Sequence, residues 1–560
     1  MSVSKNSSIF MSALACGLVA AMPSFAQQAP DAGQTLRQLQ TTPSAPASNA
    51  NSVLGITRPI EAYVQAGGPK IEVTRFVFEG NKSIDASELQ QVLGDVLLSL
   101  DTTDREAPLF PQKFDISELA RLALELQFYY LNKGYPFAQV YLPPQQVVGG
   151  EVRMKVSEGI YDEVKVTSKV SEWQKSGQDW LAKLTPGQVI RKADLERAAL
   201  LLSDLPGVAA ALTASPGVAA GSAAVDVDLA RKNQHNGEIG LSNYGSRYSG
   251  EWHARLQANI NSPLMMGDQL SFTALHSDHK MSLAAMNYSA PVGFDGWRAL
   301  IGYSDTRYDL TKGFEGNSGN AKVSSAGVTY PVLRSNSANL NLSTSIQEKR
   351  FFNNRSNGAS TETYSVKSLP LTLNFDRRDD WGGGGLTYGL VGWTHGDLKK
   401  EDAIRRGSFQ KLNVDISRIQ NMTSQVSFFG RVASQWANKN LDSAEGFGLG
   451  GPMGVRAYPN GEGYGDEGWL AQLEIRYAMG AYTPYVFYDH GRVNINAKPA
   501  LVDAPSPDQE RAGAGWGMRY QRQNWKLDAA IAWRTKGGSP TATQGSDPKP
   551  RAWIALSYRY

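Results

Sequence analysis

From Glu238 to Tyr560 the chain alternates apolar and polar residues at the period of a β-strand, and no helical period interrupts it. Leu340, Leu342, Thr344 and Ile346 share one face, while Asn339, Asn341, Ser343 and Ser345 share the other. Leu412, Val414 and Ile416 oppose Lys411, Asn413 and Asp415. Trp469, Ala471, Leu473, Ile475 and Tyr477 oppose Gln472, Glu474 and Arg476. Successive side chains of a strand point to opposite faces, so each segment has one apolar and one polar side. About sixteen such segments of roughly ten residues fit the region, with aromatics near their ends, which is the length of a bilayer-spanning strand. Connection lengths separate this from a soluble sandwich. Segments 331–337, 421–423, 480–482 and 521–524 are short. Segments 307–320, 349–362, 396–406, 438–467, 496–510 and 535–550 are long. Short turns on one side and long loops on the other predict a transmembrane β-barrel of antiparallel strands over residues 233–560. Two connections depart from the rule: 246–250 is short for an outer loop and 376–385 long for a turn. The final segment puts Ile554, Leu556, Tyr558 and Tyr560 on one face. It must pair with the first strand, since an unpaired edge in lipid costs several kcal/mol per backbone group.

The N-terminal part has a different character. Lys5, an apolar run over 9–21 and Ser24-Phe25-Ala26 form a secretory signal, with cleavage expected between Ala26 and Gln27. The one cysteine, Cys16, lies inside that run, which continues to Ala21 and so disfavours lipid attachment at Cys16. The chain beyond residue 26 therefore has neither disulfides nor thiolate chemistry. Residues 27–70 begin with a helix-permissive piece, 32–40, and continue as a Pro/Ser/Ala/Asn-rich linker read as flexible. Residues 71–158 then follow the order β-α-α-β-β, and 159–232 repeat it. These are two small α+β units with open sheet edges, and an open edge accepts an extended peptide as an added strand.

The connection 438–467 holds the glycine-rich stretch GFGLGGPMGVRAYPNGEGYGDE, too long for a hairpin turn. We read it as a loop folded back into the barrel lumen and anchored by Arg456. Tyr485, Phe487 and Asp489 share one strand face, and an aspartate facing lipid is costly, so Asp489 faces the lumen and needs a cation. Arg456 offers a bidentate partner. Enzymatic motifs are missing. Gly446, Gly448 and Gly451 spell GxGxxG without the strand-turn-helix context of a nucleotide site. HExxH and GxSxG do not occur, and the six histidines lack ligand spacing, so no catalytic residue, metal or cofactor is expected. Charge is nearly balanced, 56 Lys+Arg against 53 Asp+Glu, which argues against nucleic acid held by bulk basicity.

Together these features resemble the two-partner secretion transporters, the haemolysin- and haemagglutinin-type secretion activators of the outer-membrane insertase superfamily. The β-α-α-β-β units resemble polypeptide-transport-associated (POTRA) domains. Val455-Arg456-Ala457-Tyr458, preceded by Gly454, resembles the family's VRGY loop tetrad, with Ala457 where glycine is usual, and Phe487-Tyr488-Asp489-His490-Gly491 matches its F-x-D-x-G strand motif. Alanine resists positive φ, so Ala457 bears on the loop backbone. The resemblance implies that the POTRA domains lie in the periplasm and recognise a secreted exoprotein, large and β-helical, of adhesin or haemolysin type. The barrel, surrounded by outer-membrane lipid and inserted by the barrel assembly machinery, then passes this cargo to the cell surface. It also implies that the helix at 32–40 plugs the pore, that Arg456 pairs with Asp489, and that no ATP is used. An insertase of the same superfamily has a similar frame but commonly more periplasmic units. A passive porin or receptor has no periplasmic repeat.

Overall fold

The computed structural model describes residues 29–39, 45–46, 54–56, 67–100, 110–218, 221–498, 508–542 and 548–560. The expected cleavage site, Ala26 and Gln27, lies outside them.

Sixteen antiparallel strands close into a barrel in sequence order. Closure is made by His235–Ser242 and Arg551–Arg559, in register from Glu238↔Arg559 to Ser242↔Ala555. Ile554 and Leu556 are exposed on the outer surface, as are Ile239 and Leu241 on the partner strand, so the seam is apolar outside like the rest of the wall. Several strands outrun the alternation. Ala338–Arg355 and Ser360–Asp379 stay paired through most of 349–362, which the pattern assigns to a loop. Residues above the hydrocarbon need no apolar outer face, so the signal ends there although backbone pairing continues. Longer strands also resolve the two irregular connections. Asp379 pairs with Gly385, leaving 380–384 as the turn, and the outer connection after Ser242 runs to His253.

Before the barrel, α1 (Ala32–Gln38) lies inside the lumen and β1 (Leu54–Ile56) lies in the linker. The first periplasmic unit comprises β2 (Ile71–Val73), β3 (Arg75–Glu79), α2 (Ala86–Leu100), β4 (Gln112–Phe114), α3 (Ile116–Asn132), β5 (Gln139–Tyr141) and β6 (Glu151–Ser157). Its main sheet has the order β3-β6-β5, and β2 pairs β4 separately, a small ribbon the β-α-α-β-β reading lacks. Asp115 opens α3 with a capping box to Glu118, and Leu119, Leu122, Leu126 and Tyr130 recur at helical spacing on the buried face. The second unit comprises β7 (Ile160–Ser168), α4 (Ser171–Trp180), α5 (Lys192–Ser203), β8 (Val208–Pro216) and β9 (Ser222–Arg231).

The linker is not wholly flexible, and it covers one edge of the second sheet, that of β8. β1 pairs in parallel with β8, Leu54↔Leu212 to Ile56↔Ala214. Leu54 and Ile56 pack on that unit's core, and the edge groups of β8 gain partners.

The units are held to each other and to the barrel. Phe137 of the first unit is buried in the core of the second. Arg334, in the barrel strand Ser318–Arg334, reaches both carboxylate oxygens of Asp204 at 2.6 and 2.7 Å. Arg197 donates to the Pro331 carbonyl, and the Ser262 hydroxyl to the Pro206 carbonyl. The turns of one barrel rim thus form the seat of the second unit.

Candidate functional site: the loop inside the barrel

The connection between Val426–Ala437 and Glu467–Tyr477 turns inward and packs against the barrel wall. At its tip the Tyr458 amide donates to the Val455 carbonyl, making a tight turn over the tetrad. Val455 and Tyr458 are fully buried, and the Tyr458 hydroxyl donates to the Lys536 and Gly538 carbonyls. Ala457 does not adopt positive φ, so alanine there carries no backbone strain. Gly454 does not take positive φ either, but a side chain on it would strike the Leu449 carbonyl.

Arg456 is 5% exposed and meets Asp489, which is 0% exposed. Its Nε and Nη2 donate to the two carboxylate oxygens of Asp489 at 2.8 and 2.7 Å, and its backbone amide adds a third bond at 3.0 Å. Its remaining nitrogen, Nη1, donates to Glu474 at 2.6 Å. The guanidinium lies 3.6 Å from the Phe487 ring centroid, and its carbonyl accepts from Trp553 Nε1. Phe487 and Asp489 therefore act from one face of the strand Tyr482–Asn494, one stacking and one accepting. Gly491, the last residue of that motif, lets the loop close on the wall: a Cβ there would sit 2.7 Å from Leu449 Cδ2 and from the Trp469 carbonyl. Gly513 on the facing strand does the same for Ala457.

The motifs name only part of the network. Glu474 also accepts from Arg519 and Arg476, and Arg519 continues to Asp528. Gln472 donates to the Gly454 carbonyl, and Arg431 joins Gln472, the Met453 carbonyl and Asp415. Four arginines thus face four carboxylates, so the burial is electrically balanced.

Two further carboxylates fix the loop elsewhere. Glu462, 0% exposed, accepts from Arg511 at 2.6 and 2.9 Å and from the amides of Thr541 and Ala542. Glu445 lies between Lys349 at 2.5 Å and Lys411 at 2.8 Å on another part of the wall. Burial alone would raise its carboxyl, but the two ammonium groups hold it down at about 2. Sequence reasoning missed both. Their signal was available: a carboxylate on a loop enclosed in a lumen must meet a cation.

The helix α1 docks on this same limb. Asp31 caps it by accepting from the Gln34 amide and also accepts from the Ser443 hydroxyl at 2.7 Å. Arg37 Nε donates to the Gly446 carbonyl, and the Ala32 amide to Asn353 of the wall. Leu39, next to α1, packs against a buried apolar cluster that includes Leu441 and Ala444 of the loop, and the helix ends at Gln38 rather than residue 40. Beside α1 and the loop the lumen retains a cavity of about 960 Å³, lined among others by Arg37, Arg255, Lys411, Arg431, Arg519 and Lys526. No group of His, Cys, Asp and Glu among the described residues has a metal-binding arrangement.

The family model "Haemolysin secretion/activation protein ShlB/FhaC/HecB" matches residues 221–520, more than half of the chain. The chain belongs to this family. A second model, the ShlB-type POTRA domain, matches residues 71–159. The heme/hemopexin transporter protein HuxB of Haemophilus influenzae is 25% identical over 514 residues, covering 86% of this chain and 87% of that protein. Outer membrane transporter CdiB of Escherichia coli is 21% identical over 490 residues, covering 83% of this chain and 78% of that protein. In structure, CdiB from Escherichia coli superposes with a TM-score of 0.69 at 17% identity, covering 90% of this chain and 93% of that one. As a member of this family the chain resides in the outer membrane, with its POTRA domains in the periplasm. The family is one of transporters.

Proposed function

We propose that this protein exports a partner exoprotein across the outer membrane, and that the Arg456–Asp489 contact is a latch holding the pore loop closed. The observation that carries the reading is a buried, charge-balanced anchorage of a long loop inside a closed barrel, with α1 seated on the same loop. α1 and the loop occupy the lumen, so a polypeptide passes only when both are displaced. The cargo is a large β-helical protein of adhesin or haemolysin type, and the barrel assembly machinery inserts the transporter.

Docking uses the periplasmic sheet edges. β1 is only three residues long, so a longer cargo strand pairing with β8 would replace its few backbone bonds with more. Displacing β1 pulls on the linker that leads to α1, coupling cargo arrival to pore opening. The test is co-expression with a candidate large secreted protein taken from a neighbouring reading frame. Surface appearance of that protein should be lost on deleting residues 71–231, while the barrel still folds. Export undiminished by the deletion would remove the docking role. Cargo left in the periplasm while outer-membrane barrels also fail to assemble would favour an insertase.

A further inference from the structure

The outer wall of the barrel carries a cluster of cations that nothing in the export mechanism uses. On strands Ser318–Arg334, Ala338–Arg355, Ser360–Asp379 and Gly385–Lys399, the residues Lys322, Arg350, Lys367 and Lys399 are exposed. Their sequence neighbours Ala321, Lys349, Val366 and Leu398 are buried toward the lumen, so the four cations point away from it. In register, Lys322 stands directly opposite Arg350, and Ser365, two residues from Lys367, stands opposite both Arg350 and Lys399.

Like charges directly opposite on a sheet destabilise it. Local carboxylates relieve this only in part, although Asp305 stands opposite Lys322 and Glu348 opposite Lys367. Asp305 is taken by Arg307 at 2.9 Å and Glu348 by Arg350 at 3.0 Å, both two residues away on their own strands. Lys322, Lys367 and Lys399 make no ion pair among the described residues. Asp397, opposite Lys367, is likewise unpaired there, and the three lysines outnumber it. The other side of the barrel differs: Arg492 pairs with Asp508, while His490 and Lys536 share Glu510.

Height identifies the partner. The outward apolar series on Ala338–Arg355 starts at Leu340 near the POTRA side and runs through Leu342 to Ile346. Arg350 follows about 10 residues after Leu340, which is one membrane crossing for a tilted strand of about 9–11 residues. At the periplasmic end of the adjacent strand pair, Trp297 stacks on Tyr330 at 4.6 Å, as an interfacial aromatic girdle does. The cations therefore sit at the headgroup level of the outer leaflet, spread over three inter-strand gaps, on the order of 15 Å. That leaflet presents phosphate monoesters on a glycolipid, each able to accept from more than one ammonium group.

We propose that Lys322, Lys367 and Lys399, grouped around Arg350, bind the phosphate groups of lipopolysaccharide on the outer wall. The purified full chain in detergent is titrated with lipopolysaccharide, with dephosphorylated lipopolysaccharide and with phosphatidylglycerol. The triple variant Lys322→Gln/Lys367→Gln/Lys399→Gln should bind lipopolysaccharide at least tenfold more weakly, and removing the phosphates should weaken binding to the native chain comparably. Lys322→Arg/Lys367→Arg/Lys399→Arg, which keeps the charge, should bind as the native chain does, as should Arg492→Gln/Lys536→Gln. Undiminished binding by the glutamine variant overturns the proposal, and so does phosphatidylglycerol binding as tightly as lipopolysaccharide.

Discussion

Removing Asp489 should release the loop, and the structure sets the scale. Asp489→Ala removes three hydrogen bonds from Arg456 and leaves its buried guanidinium with Glu474, which Arg519 and Arg476 already share. Breaking one member of a buried pair costs about 3–5 kcal/mol, so the closed loop should lose roughly two to four powers of ten in relative population. The chain beyond residue 26 has no cysteine, which makes a single-cysteine reporter clean. Val455 is fully buried when the loop is closed, so Val455→Cys should react with an impermeant maleimide only during opening. Asp489→Ala should accelerate that labelling by about 10²–10⁴. Adding Arg456→Ala should bring little further acceleration, because the stranded charge is gone. Swapping the pair, Arg456→Asp with Asp489→Arg, should rescue poorly, since the new aspartate would face Glu474. Labelling unchanged by Asp489→Ala, or two single effects that simply add, would refute the latch.

Gly491→Val should open the loop without touching a charge, because its side chain collides with Leu449 and the Trp469 carbonyl. Overpacking of about 1–3 kcal/mol predicts roughly five- to hundredfold faster labelling of Val455→Cys, with heat-modifiable gel mobility showing the barrel intact. The docking of α1 should depend on pH. Burial, and then Asp31 of α1, raise the Asp442 carboxyl to about 6, while Lys400 opposes them and Glu445 adds repulsion. The closed state therefore prefers the protonated form. Its penalty is complete above about pH 6 and fades as pH falls toward the ordinary aspartate value of about 3.9. A spin label on α1 should show more seated helix at pH 5 than at pH 7.5, and Asp442→Asn should abolish the difference; more seating at pH 7.5 would contradict it.

The barrel is legible because lipid forces one face of every spanning strand to be apolar. Above the lipid that constraint lapses, so the paired strands through Lys349 and Arg350 read as a loop. β1 is nearly silent: Leu54 and Ile56 around Gly55 are its only pattern, and its pairing is set by a sheet far along the chain. At the site, Arg456 and Asp489 stand in two short motifs and lie in contact. Glu474, Arg519 and Arg431 are polar-face positions like dozens of others. What distinguishes them is which strands curve to face the loop, and alternation along a single strand does not contain that.

Tethering α1 to the loop tests the closed-pore account most directly. The Ser443 hydroxyl lies 2.7 Å from a carboxylate oxygen of Asp31, so Asp31→Cys with Ser443→Cys should be bridged in the closed state by a short bis-methanethiosulfonate. With the bridge formed, export of the partner exoprotein to the cell surface should stop, and reduction should restore it in the same cells. Export continuing at full rate through the cross-linked transporter would contradict the account.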